Sequence, residues 1–101
     1  MLTLASCSSY LSTCSLSDLI RELKEKHKKV TDPDIRSAIH YILEAIGIAI
    51  ARGYLTPSSP SSYLYDLMMI PHYWHAVDIL YSRGIIERVD PQTIVCTLLS
   101  F

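Results

Sequence analysis

Apolar positions recur at helical spacing through the first half of the chain. Within residues 16–28, Leu16, Leu19 and Leu23 fall on one stripe, while lysines and glutamates cover the opposite face. Residues 33–52 carry a broader apolar face, which is typical of a helix buried on most sides. The pattern therefore predicts one helix over 16–28 and a second, central helix over 33–52.

Capping residues support the ends of both helices. Ser15 and Asp18 have the spacing of a capping box, and Asp32 followed by Pro33 suits an N-cap and first helical residue. Gly53 fits the position after the second helix, where a positive φ is common.

Two shorter helices, over 62–69 and 72–83, are predicted on either side of a break at Pro71. The residue before a proline is disfavoured in helical geometry, so the chain should turn there. Two helices joined by so short a turn indicate a helix-turn-helix.

Beyond Gly84 the chain becomes rich in β-branched residues. Asp90-Pro91 is typical of a type I turn, so a β-hairpin of residues 85–89 and 93–99 is predicted. The predicted fold class is mainly α with a C-terminal β-hairpin (α+β).

Length and charge limit the organisation of the chain. Its 101 residues suit one domain over 15–101, preceded by a loosely held Ser/Thr-rich arm over 1–14. The net charge of −1 gives the whole chain no attraction to nucleic acid or anionic membranes. The apolar-rich stretch 35–55 is interrupted by charged residues, so no membrane span and a cytoplasmic location are predicted.

Cysteine and amide content suggest an environment. The three cysteines, Cys7, Cys14 and Cys96, follow no zinc spacing, and reduced intracellular thiols are the simplest interpretation, with a Cys7–Cys14 pair left open. Asparagine is missing and Gln92 is the single glutamine, which favours a thermophilic source.

The second half of the chain resembles a known superfamily. The matching features are the two short helices, the junction Leu80-Tyr81-Ser82-Arg83-Gly84-Ile85-Ile86 and the Asp90-Pro91 tip. Together with helix 33–52 they resemble the winged helix-turn-helix superfamily of small prokaryotic and archaeal regulators, with one extra N-terminal helix. The resemblance implies that helix 72–83 enters a DNA major groove and that the wing touches the backbone or minor groove.

The resemblance supplies candidate DNA contacts from the helix and the wing, namely His72, Tyr73, His75, Ser82 and Arg83, then Arg88, Gln92 and Thr93. The positive charge at the first predicted helix adds Lys24, Lys28 and Lys29 as candidate phosphate contacts. Trp74, Val77, Leu80 and Tyr81 are expected in the core instead.

Two features disagree with strong DNA binding. The outer face of helix 72–83 has no Arg, Lys, Asn or Gln before Arg83, and it carries Asp78. Residues 33–101 hold four arginines, no lysine and six carboxylates, a net charge of −2. The lysines near residues 24–29 alternate with glutamates, so a solvated helix face is the competing interpretation.

The sequence thus predicts a small DNA-binding regulator of duplex DNA, acting as a homodimer through the N-terminal arm and helix 16–28. The alternative is a winged-helix protein-interaction module without nucleic acid, favoured by the acidic segment and the apolar C-terminal strand. His72 and His75 lack a carboxylate or thiol in the same motif, so no metal or other cofactor is expected. No catalytic motif stands out, and the protein is predicted not to be an enzyme.

Overall fold

Five α-helices and one 3₁₀ helix make up the fold over residues 4–101. The computed structural model describes residues 4–101, apart from the side chains of residues 4–6, 8 and 61–63. The elements are α1 (Leu4–Thr13), α2 (Leu16–Lys29), α3 (Pro33–Ala51), the 3₁₀ helix (Ser61–Met69), α4 (Pro71–Ser82) and α5 (Pro91–Leu99). Across the described residues the only β-type pairing is an isolated antiparallel bridge between Ser15 and Pro60. The predicted α+β class is therefore wrong.

The segment predicted as the second strand of the hairpin is helix α5. Asp90 is its N-cap and accepts a hydrogen bond from the Thr93 backbone N–H at 3.0 Å, and Pro91 is the first helical residue. Asp-Pro is equally compatible with a type I turn and with the start of a helix, because both need the φ that proline imposes. Ile94 and Leu98 are buried at helical spacing, and this packing outweighs β-propensity. The described residues after Gly84 form no hairpin and hence no wing, so the predicted winged-helix fold class is also wrong.

Helix α3 lies at the centre, as its broad apolar face predicts. Seven of its residues are buried: Ile35, Ala38, Ile39, Ile42, Ala45, Ile46 and Ala49. It packs against α2, α4, α5 and the 3₁₀ helix. Asp32 caps its start by accepting from the Asp34 N–H at 2.9 Å, and Gly53 follows its end with φ of 80°.

Helix α2 begins at the predicted capping box. The Ser15 hydroxyl accepts from the Asp18 N–H at 3.3 Å, and the Asp18 carboxylate accepts from the Ser15 N–H at 3.4 Å. The Leu16 N–H donates to the Ser59 carbonyl at 2.9 Å, which ties the start of α2 to the loop after α3.

The segment predicted as an arm contains α1, which packs on α5 and the 3₁₀ helix of the same chain. Residues 1–3 of that segment lie outside the described part of the chain. A disulfide joins Cys7 in α1 to Cys96 in α5, with 5.8 Å between their Cα atoms. The expectation of reduced thiols is therefore wrong for Cys7 and Cys96. Cys14, which directly follows α1, is buried.

Helix α4 turns a different face inward from the one predicted. Tyr73 is fully buried, and its hydroxyl donates to the Val89 carbonyl. Trp74 and Tyr81, expected in the core, are 40% and 61% exposed. The buried set Tyr73, Ala76, Val77 and Leu80 follows i, i+3, i+4, i+7 spacing, which places positions 74 and 81 on the flank.

Over the described residues, no helix is both long and apolar enough to cross a bilayer.

Candidate functional site

The candidate DNA contacts on α4 do not form one exposed surface. Tyr73 lies in the core, and Arg83 is held in an ion-pair network at the start of α3. The Arg83 guanidinium lies 2.8 Å from the Asp32 carboxylate and 3.2 Å from that of Asp34. Hydrogen bonding from Arg83 lowers the pKa of Asp32 below its ordinary value. A phosphate would therefore have to compete with two carboxylates for Arg83.

The residues predicted at the wing belong to the start of α5 instead. Arg88 lies 3.2 Å from the Asp90 carboxylate, and the Thr93 hydroxyl donates to the same group at 2.9 Å. Gln92 is exposed on the first turn of α5, and Ser82 is exposed at the end of α4. Arg88 and Thr93 thus contact the N-cap of α5 and do not form a wing tip.

A different cluster gathers all four histidines of the chain across α2, α3 and α4. The ring centroids of His27 and His40 are 6.5 Å apart, and those of His40 and Tyr41 are 6.0 Å apart. Tyr41 stacks on His75 at 5.2 Å, and His72 lies 6.4 Å from each of Tyr41 and His75. We call the four histidines with Tyr41 the histidine row.

Glu44 anchors the middle of the histidine row. Its carboxylate oxygens lie 2.7 Å from Nε2 of His40, one turn earlier on α3, and 3.2 Å from Nε2 of His72 on α4. A carboxylate bonded to one ring nitrogen fixes the orientation of an imidazole. His72 turns its Nδ1 inward, where that atom is buried with no hydrogen-bond partner among the described residues. One carboxylate thus orients two imidazoles on neighbouring helices.

Two adjoining cavities lie between α2 and α3 beside this row. The first, of about 410 Å³, is lined by His27, Thr31, Pro33, Arg36, Ser37, His40 and Tyr41. The second, of about 270 Å³, is lined by Lys24, His27, Lys28, His40 and Leu43. Since His27 and His40 line both, we treat them as one feature, the α2–α3 groove.

Cations line the α2–α3 groove although the chain carries −1, and acids contact this lining from outside it, Glu25 at Lys28 and Glu44 at His40. Lys24, Lys28 and Arg36 supply three cations, and none of the described side chains that line the groove is acidic. Glu25 lies 3.4 Å from Lys28, but both groups are at least half exposed, so solvent screens this pair. The groove is suited to an anionic ligand with oxygen acceptors.

Part of this site was predicted from the sequence and part was missed. Lys24 and Lys28 are among the predicted contacts, whereas Lys29, at the end of α2, is exposed outside the groove lining. Arg36 and His40 were missed because they lie within the apolar stretch 35–55 of the central helix, where a histidine is expected to be a partly buried packing residue. The spacing of His40 and Glu44, one helical turn apart, is a signal that could have drawn attention to this face.

Among the described side chains, no group of three or more His, Cys, Asp or Glu residues is placed to hold a metal ion.

The chain matches no protein-family model, no curated protein and no solved structure.

Proposed function

We propose that the protein binds nucleic acid through the phosphate backbone, in the α2–α3 groove. The observation that carries the proposal is the lining of two adjoining cavities by Lys24, Lys28 and Arg36, with no acid among the described lining residues. Phosphate oxygens only accept hydrogen bonds, and Lys and Arg side chains only donate them. The hydroxyls of Thr31 and Ser37 add neutral donors at the same surface.

The arrangement of the cations suits a polymer better than a single small anion. Lys24 and Lys28 line one cavity and Arg36 lines the other, with the two imidazoles of His27 and His40 between them. Neighbouring cavities with separate cations can take successive phosphates of one strand. Three phosphate contacts give a slope of about −2 to −3 in log affinity against log salt, which implies modest affinity without sequence preference.

A recognition helix in a major groove is no part of this proposal. Tyr73 is in the core, and Arg83 is paired with Asp32 and Asp34. Duplex DNA remains a possible ligand through its backbone alone, as does a single strand.

We also propose a cytoplasmic location, since a nucleic-acid ligand is available there. Disulfides are rare in the cytosol of mesophiles but common inside hyperthermophiles. The Cys7–Cys96 disulfide agrees with the thermophilic source that the amide content favours.

The test is a salt titration of binding, measured by fluorescence anisotropy on labelled duplex DNA and on single-stranded DNA. The variant replaces Lys24, Lys28 and Arg36 with Gln. The control replaces Arg21, Arg52 and Arg88 with Gln, which removes the same charge from outside the groove lining.

The groove variant should lose at least tenfold in affinity and most of the salt slope, while the control keeps both. Equal losses in the two variants would show that only net charge matters, and the assigned groove would be wrong. No binding of either ligand at low salt would overturn the proposal.

A protein-interaction module is the second candidate function, and a separate surface favours it. Trp74 and Tyr81 lie on the flank of α4 away from His72, and Met69 at the end of the 3₁₀ helix is 63% exposed. Aromatic and methionine side chains are enriched at protein interfaces. Sedimentation of the wild type and of Trp74→Ala with Tyr81→Ser tests it, including the predicted homodimer. If both samples sediment as monomers, the protein does not self-associate through this surface.

A further inference from the structure

We propose that the α2–α3 groove cleaves RNA without a metal ion, with His40 as general base and His27 as general acid. This inference rests on the proposed nucleic-acid binding and adds a substrate class and a reaction. It also replaces the expectation, drawn from the sequence, that the protein is not an enzyme.

Two imidazoles face the same space from different helices. His27 comes from α2 and His40 from α3, their ring centroids are 6.5 Å apart, and both line both cavities. A phosphodiester held by the groove cations would lie against the edges of both rings, with one oxygen toward each. Proton transfer needs a positioned group within hydrogen-bond reach of each reacting oxygen, and histidine is the side chain used most often.

The hydrogen-bond partner of His40 determines which histidine acts as the base and which as the acid. Its Nε2 lies 2.7 Å from the Glu44 carboxylate, so Nδ1 is the ring atom that would exchange a proton with RNA. A carboxylate bonded to the far side of an imidazole holds the ring in the tautomer whose other nitrogen can accept a proton. His40 therefore suits the base, and His27 is left as the acid.

The reaction balances with groups of the chain and the substrate alone. His40 takes the proton of a ribose 2′-hydroxyl as that oxygen forms a bond to phosphorus. The bond from phosphorus to the 5′-oxygen breaks, and His27 in its protonated form gives its proton to the leaving oxygen. The products are a 2′,3′-cyclic phosphate and a 5′-hydroxyl, and solvent then returns both imidazoles to their starting forms.

The groove cations supply the electrostatic part of the reaction. Negative charge on the phosphoryl oxygens grows as the fifth bond to phosphorus forms. Lys24 and Lys28 line one of the two cavities that His27 and His40 share, and Arg36 lines the other, so fixed positive charge borders the same groove as the two rings and favours that state. DNA lacks the 2′-hydroxyl, so it should bind in the same groove and remain uncut.

The experiment uses the full chain, EDTA and a labelled DNA oligonucleotide that contains one ribonucleotide. Cleavage should occur at the ribonucleotide only, and mass spectrometry should identify the cyclic phosphate. An all-deoxy oligonucleotide of the same sequence measures binding separately. The variants are His27→Ala and His40→Ala, with His75→Ala as the matched control because His75 is outside the groove lining.

We expect each groove variant to lose at least about 100-fold in cleavage rate, because a positioned acid or base contributes that much or more. Binding of the all-deoxy strand should fall far less than the cleavage rate, the thermal midpoint should stay near wild type, and His75→Ala should cleave normally. Cleavage that persists at the wild-type rate in both groove variants would overturn the proposal. Binding of the all-deoxy strand without any cleavage of the chimera would overturn it too, while leaving the proposed function standing. No binding at all would end both.

Discussion

Arg83 donates from Nη1 to both carboxylate oxygens of Asp32, at 2.9 and 2.8 Å, across 51 positions of sequence. Asp32 is also the N-cap of α3, so one carboxylate starts the central helix and holds the end of α4 against it. Negative charge at a helix N-terminus is itself favourable. The contact therefore joins local helix capping to the packing of α3 on α4.

This contact predicts how stability depends on pH. Hydrogen bonding from Arg83 lowers the pKa of Asp32 below 3.8, so the ionised form is favoured in the folded state. The stability it contributes is complete above the ordinary pKa and is lost as pH falls through the lower folded value. Arg83→Gln should thus destabilise the protein at pH 6 and much less at pH 2, as read from urea midpoints at both. Arg52→Gln is the control and should change little at either pH. If the urea midpoints of Arg83→Gln and the wild type differ by the same amount at both pH values, the ion-pair explanation would be contradicted.

Substitutions at Gly47 and Gly53 distinguish the effects of packing and of backbone conformation on stability. A Cβ added at Gly47 or Gly53 would meet nothing within 4 Å, yet Gly53 has φ of 80° and Gly47 is in the middle of α3. Gly47→Ala should raise the free energy of unfolding by about 0.5–1 kcal/mol, because alanine is the better helix former. Gly53→Ala should lower it, since L residues are strained at that φ. Denaturant titration measures both, and equal effects would rule out this account.

The start of α5 depends on Asp90. Burial raises the pKa of this carboxyl, but hydrogen bonds from Thr93 and the nearby Arg88 outweigh it, and the pKa is lowered overall. Asp90→Ala should cost about 1 kcal/mol through loss of the cap, and Asp90→Asn should keep most of the stability, because asparagine also caps helices. Asp78→Ala on the exposed face of α4 is the control. Thermal unfolding followed by circular dichroism measures both changes. An Asn variant that loses as much stability as the Ala variant would contradict the capping explanation.

The disulfide should be a large part of the stability. Cys7 and Cys96 are 89 positions apart, so the link restrains a long segment of the unfolded chain. Replacing both with Ser should lower the free energy of unfolding by about 2–4 kcal/mol. Cys14→Ser should leave the disulfide in place, which mass spectrometry after alkylation without reductant would verify. If reductant does not change the wild-type melting temperature, the link contributes nothing.

Helices with clear end signals could be predicted from the sequence. Ser15 with Asp18 begins α2, Asp32-Pro33 begins α3, and Gly53 follows α3, all within a residue or two of the predicted bounds. Asp90-Pro91 carries the same signal as Asp32-Pro33, but the β-branched residues after it favoured a strand. Only contact with α1, α2, α3 and the 3₁₀ helix decides between these outcomes, and such contact is not visible in local spacing.

The groove was harder to predict than the helices. Lys24 and Lys28 stand out in the sequence, but their importance depends on Arg36 and His40 approaching from α3. That approach follows from the rotation of α2 about its axis when Leu16, Leu19 and Leu23 are buried. A sequence pattern predicts the buried face of each helix, but it does not predict which neighbouring helix lies beside the exposed face.

The single tryptophan offers a built-in optical probe. Its indole N–H donates to the Met68 carbonyl at 2.8 Å, and the ring is 40% exposed on the flank of α4 away from His72. Its emission should shift to longer wavelength when α4 separates from the 3₁₀ helix, so fluorescence can follow unfolding without any label. A nucleic acid in the groove should leave this spectrum nearly unchanged, whereas a protein that covers the flank should shift it to shorter wavelength.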